Sequence, residues 1–459
     1  MTSRKIKLSR RGFMGSVSAA GAAGAILAAG SHTGALAQQK NAETKTPVTL
    51  PSHYYIKNAL LETGFERENG MVVATKTELK TLHIKDGKIA EILDEKAALN
   101  KTTPVFDAVN TLLLPAMEDF HIHLDKTFYG GKWRAVRPNP NGIADRIAEE
   151  QKILPQLLPT AEGRTEKIIE LLQRKGSVFA RSHCNIEPTS KLESLEHLMN
   201  ALSRHKIDFG CEIVAFPQHG LLRSNSEQLM RDAMKNGANI VGGLDPTSID
   251  GDMEKSLTTM VQIAVDSNAG IDIHLHESGE SGQKAIVRLI ELCEEAKLQN
   301  KMTISHAFAL AFMDEGQLKE VIERLAKNNI SIASSVPVGN LHMPIPQLLE
   351  KGVKVGVGTD SVIDHWSPFG TCDNLEKAKI AAQLYGWKTE DTLGQALQIA
   401  TNGITPLNAK GEPVWPKAGA EADIMFVPAS CSAEAVARTP ERNAVLRKGI
   451  LIAGNLEKI

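Results

Sequence analysis

The histidines of this chain stand where chemistry would need them. His121 and His123 lie one residue apart in "PAMEDFHIHLDKT", directly after the apolar run "TLLLPAM". On a strand, residues i and i+2 share a face, so both imidazoles project together from one strand end. His274 and His276 close "GIDIHLHE", with Glu277 beside them. His183 falls at the end of "GSVFARSHC", His306 in "MTISHA", Gln218 just after "EIVAFP", and Asp360 at the end of "KVGVGTD". Neutral imidazoles with one carboxylate suit Zn²⁺ or Fe²⁺ and poorly suit Ca²⁺ or Mg²⁺. Three or four such ligands, with room for a water, make a hydrolytic site.

These residues need a scaffold that brings strand ends together. From about residue 111 the chain alternates apolar strand, loop and amphipathic helix. Eight strand-like runs begin at "TLLLPAM" and end at "KVGVGTD", with helical patterns such as "RTEKIIELLQRK" and "GQKAIVRLIELCEEAKLQ" between them. Eight such repeats predict an α/β fold, a (β/α)8 TIM-like barrel over 111–405, whose active site lies at the C-terminal strand ends. No GxGxxG follows the first strand, which argues against a doubly wound dinucleotide fold. Residues 53–110 read as short strands and turns, with a hairpin signal at Asp86-Gly87. Residues 406–459 read as strands again, so both chain ends are expected to build one small β-sandwich.

The stretches "HIHLDKT", "EIVAFPQHG", "DIHLHE", "ISHA" and "GVGTDSVIDHWSPFGT" resemble the metal-dependent amidohydrolase superfamily, in its cytosine deaminase-like branch. The resemblance runs from about 55 to 455. It implies that His121, His123, His274 and Asp360 hold one divalent ion, Zn or Fe(II). It implies that Glu277 shuttles protons, that His306 hydrogen-bonds the attacking hydroxide, and that Asp360 takes a proton. Gln218 then reads an amide edge of a ring substrate, and Trp366 forms an aromatic wall. Ser361 stands where cytosine deaminases carry a second acid, and His219 where a glutamate is common. A lysine and a bulky extension follow the first two ligands in "HIHLDKTFYGGKW". Ser361 and His183 complete the expected substrate-binding set. No lysine ends the third or fourth strand, so a carbamylated-lysine bridge between two metals is not implied.

The expected activity is hydrolysis of a C–N bond in a small cyclic amidine or amide, most simply deamination of a cytosine-like N-heterocycle. Ring-opening hydrolysis of a cyclic amide is the alternative within enzymes, and a non-catalytic periplasmic binding protein is the alternative outside them. The net charge of −2 gives no field for nucleic acid or anionic lipid. The five cysteines are scattered without a CxxC pair, as expected of isolated buried thiols. "MTSRKIKLSRRGFMG", the Ala/Gly-rich run after it, and Ala35 and Ala37 predict a cleaved twin-arginine signal over 1–37. A linker over 38–52 follows. This predicts engagement of the twin-arginine export machinery, a periplasmic location and no stable membrane span. A homo-oligomer is left open.

Overall fold

A computed structural model of the chain describes residues 50–459. The expected export segment and nearly all of the linker lie outside them. The described chain forms two sheets. Its strands are β1 His53–Glu68, β2 Met71–Lys85, β3 Lys88–Asp94, β4 Val105–Asp107, β5 Leu112–Pro115, β6 Met117–Ile122, β7 Ser177–Asn185, β8 Gly210–Phe216 and β9 Ile240–Leu244. There follow β10 Gly270–His274, β11 Met302–Ser305, β12 Ser331–Ser334, β13 Val355–Val357, β14 Ile424–Val427, β15 Ala444–Arg447, β16 Ile450–Gly454 and β17 Glu457–Lys458.

Strands β6 to β13 pair in chain order, all parallel, with helices in the connections. The ring closes through a parallel bridge between Ile122 and Asp360, where the Asp360 N–H donates to the His121 carbonyl at 2.7 Å. This is the expected TIM-like barrel. Closure itself therefore brings the histidine pair of β6 against the aspartate that follows β13. Gly358 permits the approach, because a Cβ there would lie 2.4 Å from the His121 carbonyl oxygen. The helices bury apolar faces against the strands, as with Leu289 and Ile290 beside Ile304 and Ile332.

The second sheet has nine strands and draws on both chain ends, in the order β16-β15-β14-β5-β1-β2-β3, with β4 and β17 at its side. It differs from expectation in two respects. β1 and β2 span 16 and 15 residues rather than being short. Register shifts along this pair break the two-residue alternation by which a long strand shows itself in sequence. The run "TLLLPAM" is also not one barrel strand. Leu112–Pro115 pairs with β14 in the nine-stranded sheet, and the barrel begins at Met117. Both halves are equally apolar because both are buried, so composition could not divide them. The hairpin at Asp86-Gly87 is present, with positive φ at both residues (49° and 78°), the geometry such a two-residue turn requires.

Candidate metal centre and cavity

Each candidate ligand is oriented from behind. His121 Nδ1 lies 2.8 Å from Ser305 Oγ, and that hydroxyl donates to Asp272 Oδ1 at 2.6 Å. The hydroxyl must therefore accept from His121, which puts the imidazole proton on Nδ1 and the lone pair on Nε2. His123 Nδ1 lies 3.0 Å from the His183 carbonyl, which can only accept, so its Nε2 also carries a lone pair. His274 Nε2 stands 3.3 Å from His123 Nε2. Asp360 Oδ1 lies 3.5 Å from Nε2 of both His121 and His123, and its Oδ2 lies 4.0 Å from His306 Nε2.

The electrostatics fit a cation. Burial, then the nearby Lys126 charge, depresses His123 to about 3. Burial and the surrounding imidazoles hold His274 well below the usual histidine range, so both rings are neutral. Burial works against the Asp360 charge, but contacts with His121 and His123 hold its carboxyl well below the usual range. The buried His121 Nε2 has no hydrogen-bond partner. Orphaned buried nitrogens are costly, and convergent lone pairs beside an ionised carboxylate suit a borderline divalent metal. His121, His123 and His274 each offer a ligand atom within 4.8 Å of the others, as do His121, His306 and Asp360. The residues thus fit one ion held by His121, His123, His274 and Asp360.

Two residues near this centre carry strained backbones. Asp360 and His306 have φ of 59° and 67°, unusual for side chains with a Cβ. Asp119 holds the Asp360 turn. Its carboxylate accepts from the His121 N–H (3.1 Å), the Thr359 N–H (3.2 Å) and the Thr359 hydroxyl (2.6 Å).

A cavity opens over the centre, lined by His123, Phe216, Gln218, His274, His276, Asp360, Ser361 and Trp366. The space between its walls is about 290 Å³, open solvent at the mouth included. Phe216 stacks on His274 with centroids 4.0 Å apart. Gln218, Ser361 and Trp366 are therefore gathered on the wall of one cavity. His183 is not. It is fully buried beneath the imidazole cluster, its ring centroid 4.0 Å from that of His121, away from the cavity wall. Glu277 also lies off the wall. Its Oε1 accepts from the Thr247 and Ser248 N–H groups at 2.8 and 2.6 Å, while the buried Oε2 has no partner.

Sequence reasoning missed or left unassigned four residues. His276 was not assigned a role but lines the cavity, with its Nδ1 2.8 Å from Asp245 Oδ2. Burial opposes protonation of His276, but Asp245 raises it above the usual histidine range. Asp119 and Asp245 gave no signal beyond a lone acid near a strand end. Lys126 was visible three residues after His123, though its burial was not.

A barrel whose strand ends converge on imidazoles and one carboxylate defines a metal-dependent hydrolase architecture. The chain belongs to the amidohydrolase family, whose sequence pattern matches residues 161–455. It is 53% identical over 456 residues to the uncharacterized protein YahJ of Escherichia coli (strain K12), covering 99% of this chain and 98% of that one. It superposes on N-isopropylammelide isopropylaminohydrolase from Burkholderia multivorans with a TM-score of 0.77 and 28% identity, covering 88% and 99% of the two chains. The 5-methylcytosine deaminase from Klebsiella pneumoniae has the same fold, with a TM-score of 0.72 and 22% identity over 87% and 97% of the chains. The protein is thus a hydrolase of C–N bonds.

Proposed function

We propose that the protein removes an exocyclic amine from a small N-heterocycle by hydrolysis, most simply as ammonia from a cytosine-like ring. The observation that carries this reading is the convergence of the His121, His123 and His274 Nε2 atoms and Asp360 beside a cavity walled by Phe216, Trp366 and Gln218. The relative of 28% identity is named for hydrolytic loss of an isopropylamino group from N-isopropylammelide, which agrees in bond type. His121, His123, His274 and Asp360 would hold a divalent ion, which would supply Lewis acidity and a water acidified toward a pKa of ~7. Trp366 and Phe216 hold the ring by its faces. Gln218 reads one edge, beside Ser361. Asp360 and His306, with carboxylate and imidazole 4.0 Å apart, serve the reacting carbon, Asp360 by taking a proton. Glu277, off the cavity wall with an unpartnered buried Oε2, is assigned proton delivery to the leaving amine, which requires its carboxyl to swing toward the cavity.

We also propose that the precursor is exported to the periplasm through its twin-arginine segment. Support for this comes from "SRRGFM" and the small residues at Ala35 and Ala37. Among the described residues no helix is long and apolar enough to cross a membrane.

The test uses zinc- or iron-loaded protein with cytosine, isocytosine, 4-aminopyrimidine and amino-oxo-1,3,5-triazines. Ammonia or amine release is followed together with product mass. Release with the ring intact is the expected result. Addition of water without amine release would move the assignment to ring opening. No product from any ring, with metal bound, would overturn it.

A further inference from the structure

Lys126 is a buried lysine, 1% exposed, outside the metal ligand set. Its Nζ donates to Gln218 Oε1 and lies 5.8 and 5.9 Å from the ring centres of Phe216 and Trp366, two walls of the cavity. An ammonium has donors only, so the atom of the Gln218 amide that meets it must be oxygen. The orientation of this amide is thereby fixed by chemistry. Gln218 lines the cavity, and with its oxygen taken by Lys126 its Nε2 is the polar atom of the amide left to meet a ligand. A free glutamine could turn either end to a ligand. This one presents only N–H groups.

The lysine is itself held. Glu150, 1% exposed on the helix Ile143–Leu157, has Oε1 3.6 Å from Lys126 Nζ. The same oxygen accepts from Asn185 Nδ2, and Oε2 lies 3.5 Å from His365 Nε2. Burial pushes the Glu150 carboxyl up, but Lys126 and His365 overcome this and hold it below the usual range. A buried carboxylate of this kind serves as counter-ion to the lysine and keeps it in place.

We propose that Lys126 locks Gln218 with its amide nitrogen toward the cavity, so that the site selects N-heterocycles placing an acceptor there, a ring carbonyl oxygen or an unprotonated ring nitrogen, and that Glu150 positions Lys126 for this task. The proposal rests on the reading of the cavity as an N-heterocycle site and adds which edge of the ring it reads. A ring offering only N–H at that edge meets two opposed donors and is rejected, since a recognition site with unpaired buried polar groups discriminates strongly.

The experiment compares wild type, Lys126→Arg, Gln218→Glu and the paired neutral variant Lys126→Met/Glu150→Gln. Binding is measured by calorimetry on metal-loaded protein with the same four classes of heterocycle, and KM and kcat are determined for any that turn over. Metal content and melting temperature confirm that each variant is folded. Gln218→Glu keeps the contact with Lys126 but removes the donor, so affinity for the preferred ring falls by ~100-fold, with KM changing more than kcat. Lys126→Arg still donates to Oε1 and stays within ~3-fold. The paired variant frees the amide to rotate, so the order of preference among heterocycles changes. An unchanged order in the paired variant reduces Lys126 to a structural role and overturns the proposal, as does full affinity in Gln218→Glu. Absence of binding of every ring to wild type also overturns it. Binding confined to rings that place an acceptor opposite Gln218, without turnover, leaves this inference standing and defeats the proposed activity instead. If the paired variant does not fold, Lys126→Arg and Gln218→Glu alone carry the decision.

Discussion

The Nε2 atoms of His123 and His274 stand 3.3 Å apart, and the first of them is obliged to carry a lone pair because its ring proton is committed to the His183 carbonyl. Neutral rings this close either share a hydrogen bond or share a cation. The second alternative also satisfies His121 Nε2, which has no partner of its own.

The first prediction follows from that arrangement. His121→Ala with His123→Ala should reduce bound metal from one ion per chain to a trace, read by elemental analysis. Ser305→Ala removes only the group that fixes the His121 tautomer, and should weaken metal affinity by ~10–100-fold. Chelation of the wild type should lower its melting temperature and zinc should restore it, since a ligand at 1,000 times its Kd stabilises by about 4 kcal/mol. A double mutant that retains one ion per chain would remove these residues from the ligand set.

The second concerns export. Arg10→Lys plus Arg11→Lys should hold the precursor in the cytoplasm, because the guanidinium pair is the feature recognised. Cell fractionation reads the outcome, and undiminished periplasmic protein would defeat the proposal.

The third concerns Asp119. Burial pushes its carboxyl up to about 6 in the folded metal-free protein, above the ordinary aspartate value. A group with a raised folded pKa contributes stability that is complete below about 4 and lost as pH rises through about 6. Asparagine cannot ionise and escapes that loss. The stability of Asp119→Asn relative to wild type should therefore improve by up to roughly 3 kcal/mol between pH 4 and pH 7.5 in chelated protein. Denaturant titrations at the two pH values measure the difference. A pH-independent difference would show that Asp119 titrates normally. Asp119→Ala should instead lose roughly 2–4 kcal/mol, since it orphans the His121 N–H and both Thr359 donors.

Much of this centre was legible because metal ligation confines residue types. HxH at one strand end, His at two more and Asp at the last form a joint pattern that packing does not produce by chance. The barrel was legible because alternating strand and helix patterns survive burial. Other features depend on partners distant in sequence. Lys126 meets Gln218 across 92 residues and Asp119 meets Thr359 across 240. Nothing local distinguishes such a lysine from a solvated one. His183 is expected to bind substrate because, like His274, it stands at the end of a buried strand. Only the fold shows that its ring packs under the cluster. The division of "TLLLPAM" between two sheets likewise depends on pairing with residues 424–427.

The last prediction decides the role of Glu277. General acid–base catalysis contributes typically ~10²–10⁴-fold. Glu277→Gln keeps the size of the side chain and an oxygen able to accept from the Thr247 and Ser248 N–H groups, but it cannot take up and deliver a proton. If the free Oε2 carries the proton, turnover falls by at least ~10²-fold while metal content and melting temperature stay near wild type. Glu277→Ala adds a second effect, because it strips two backbone donors of their acceptor, and should cost roughly 1–3 kcal/mol of stability as well. Asp360→Asn differs from both in lowering turnover and metal affinity together, since it removes a charged ligand. Turnover, metal content and melting temperature on the three preparations separate these roles. Near-normal turnover in Glu277→Gln, with stability lost only in Glu277→Ala, would make Glu277 a brace for the loop after β9. The proton would then fall to His276, the remaining titratable group on the cavity wall apart from the assigned metal ligands, and His276→Asn would be the variant that loses turnover.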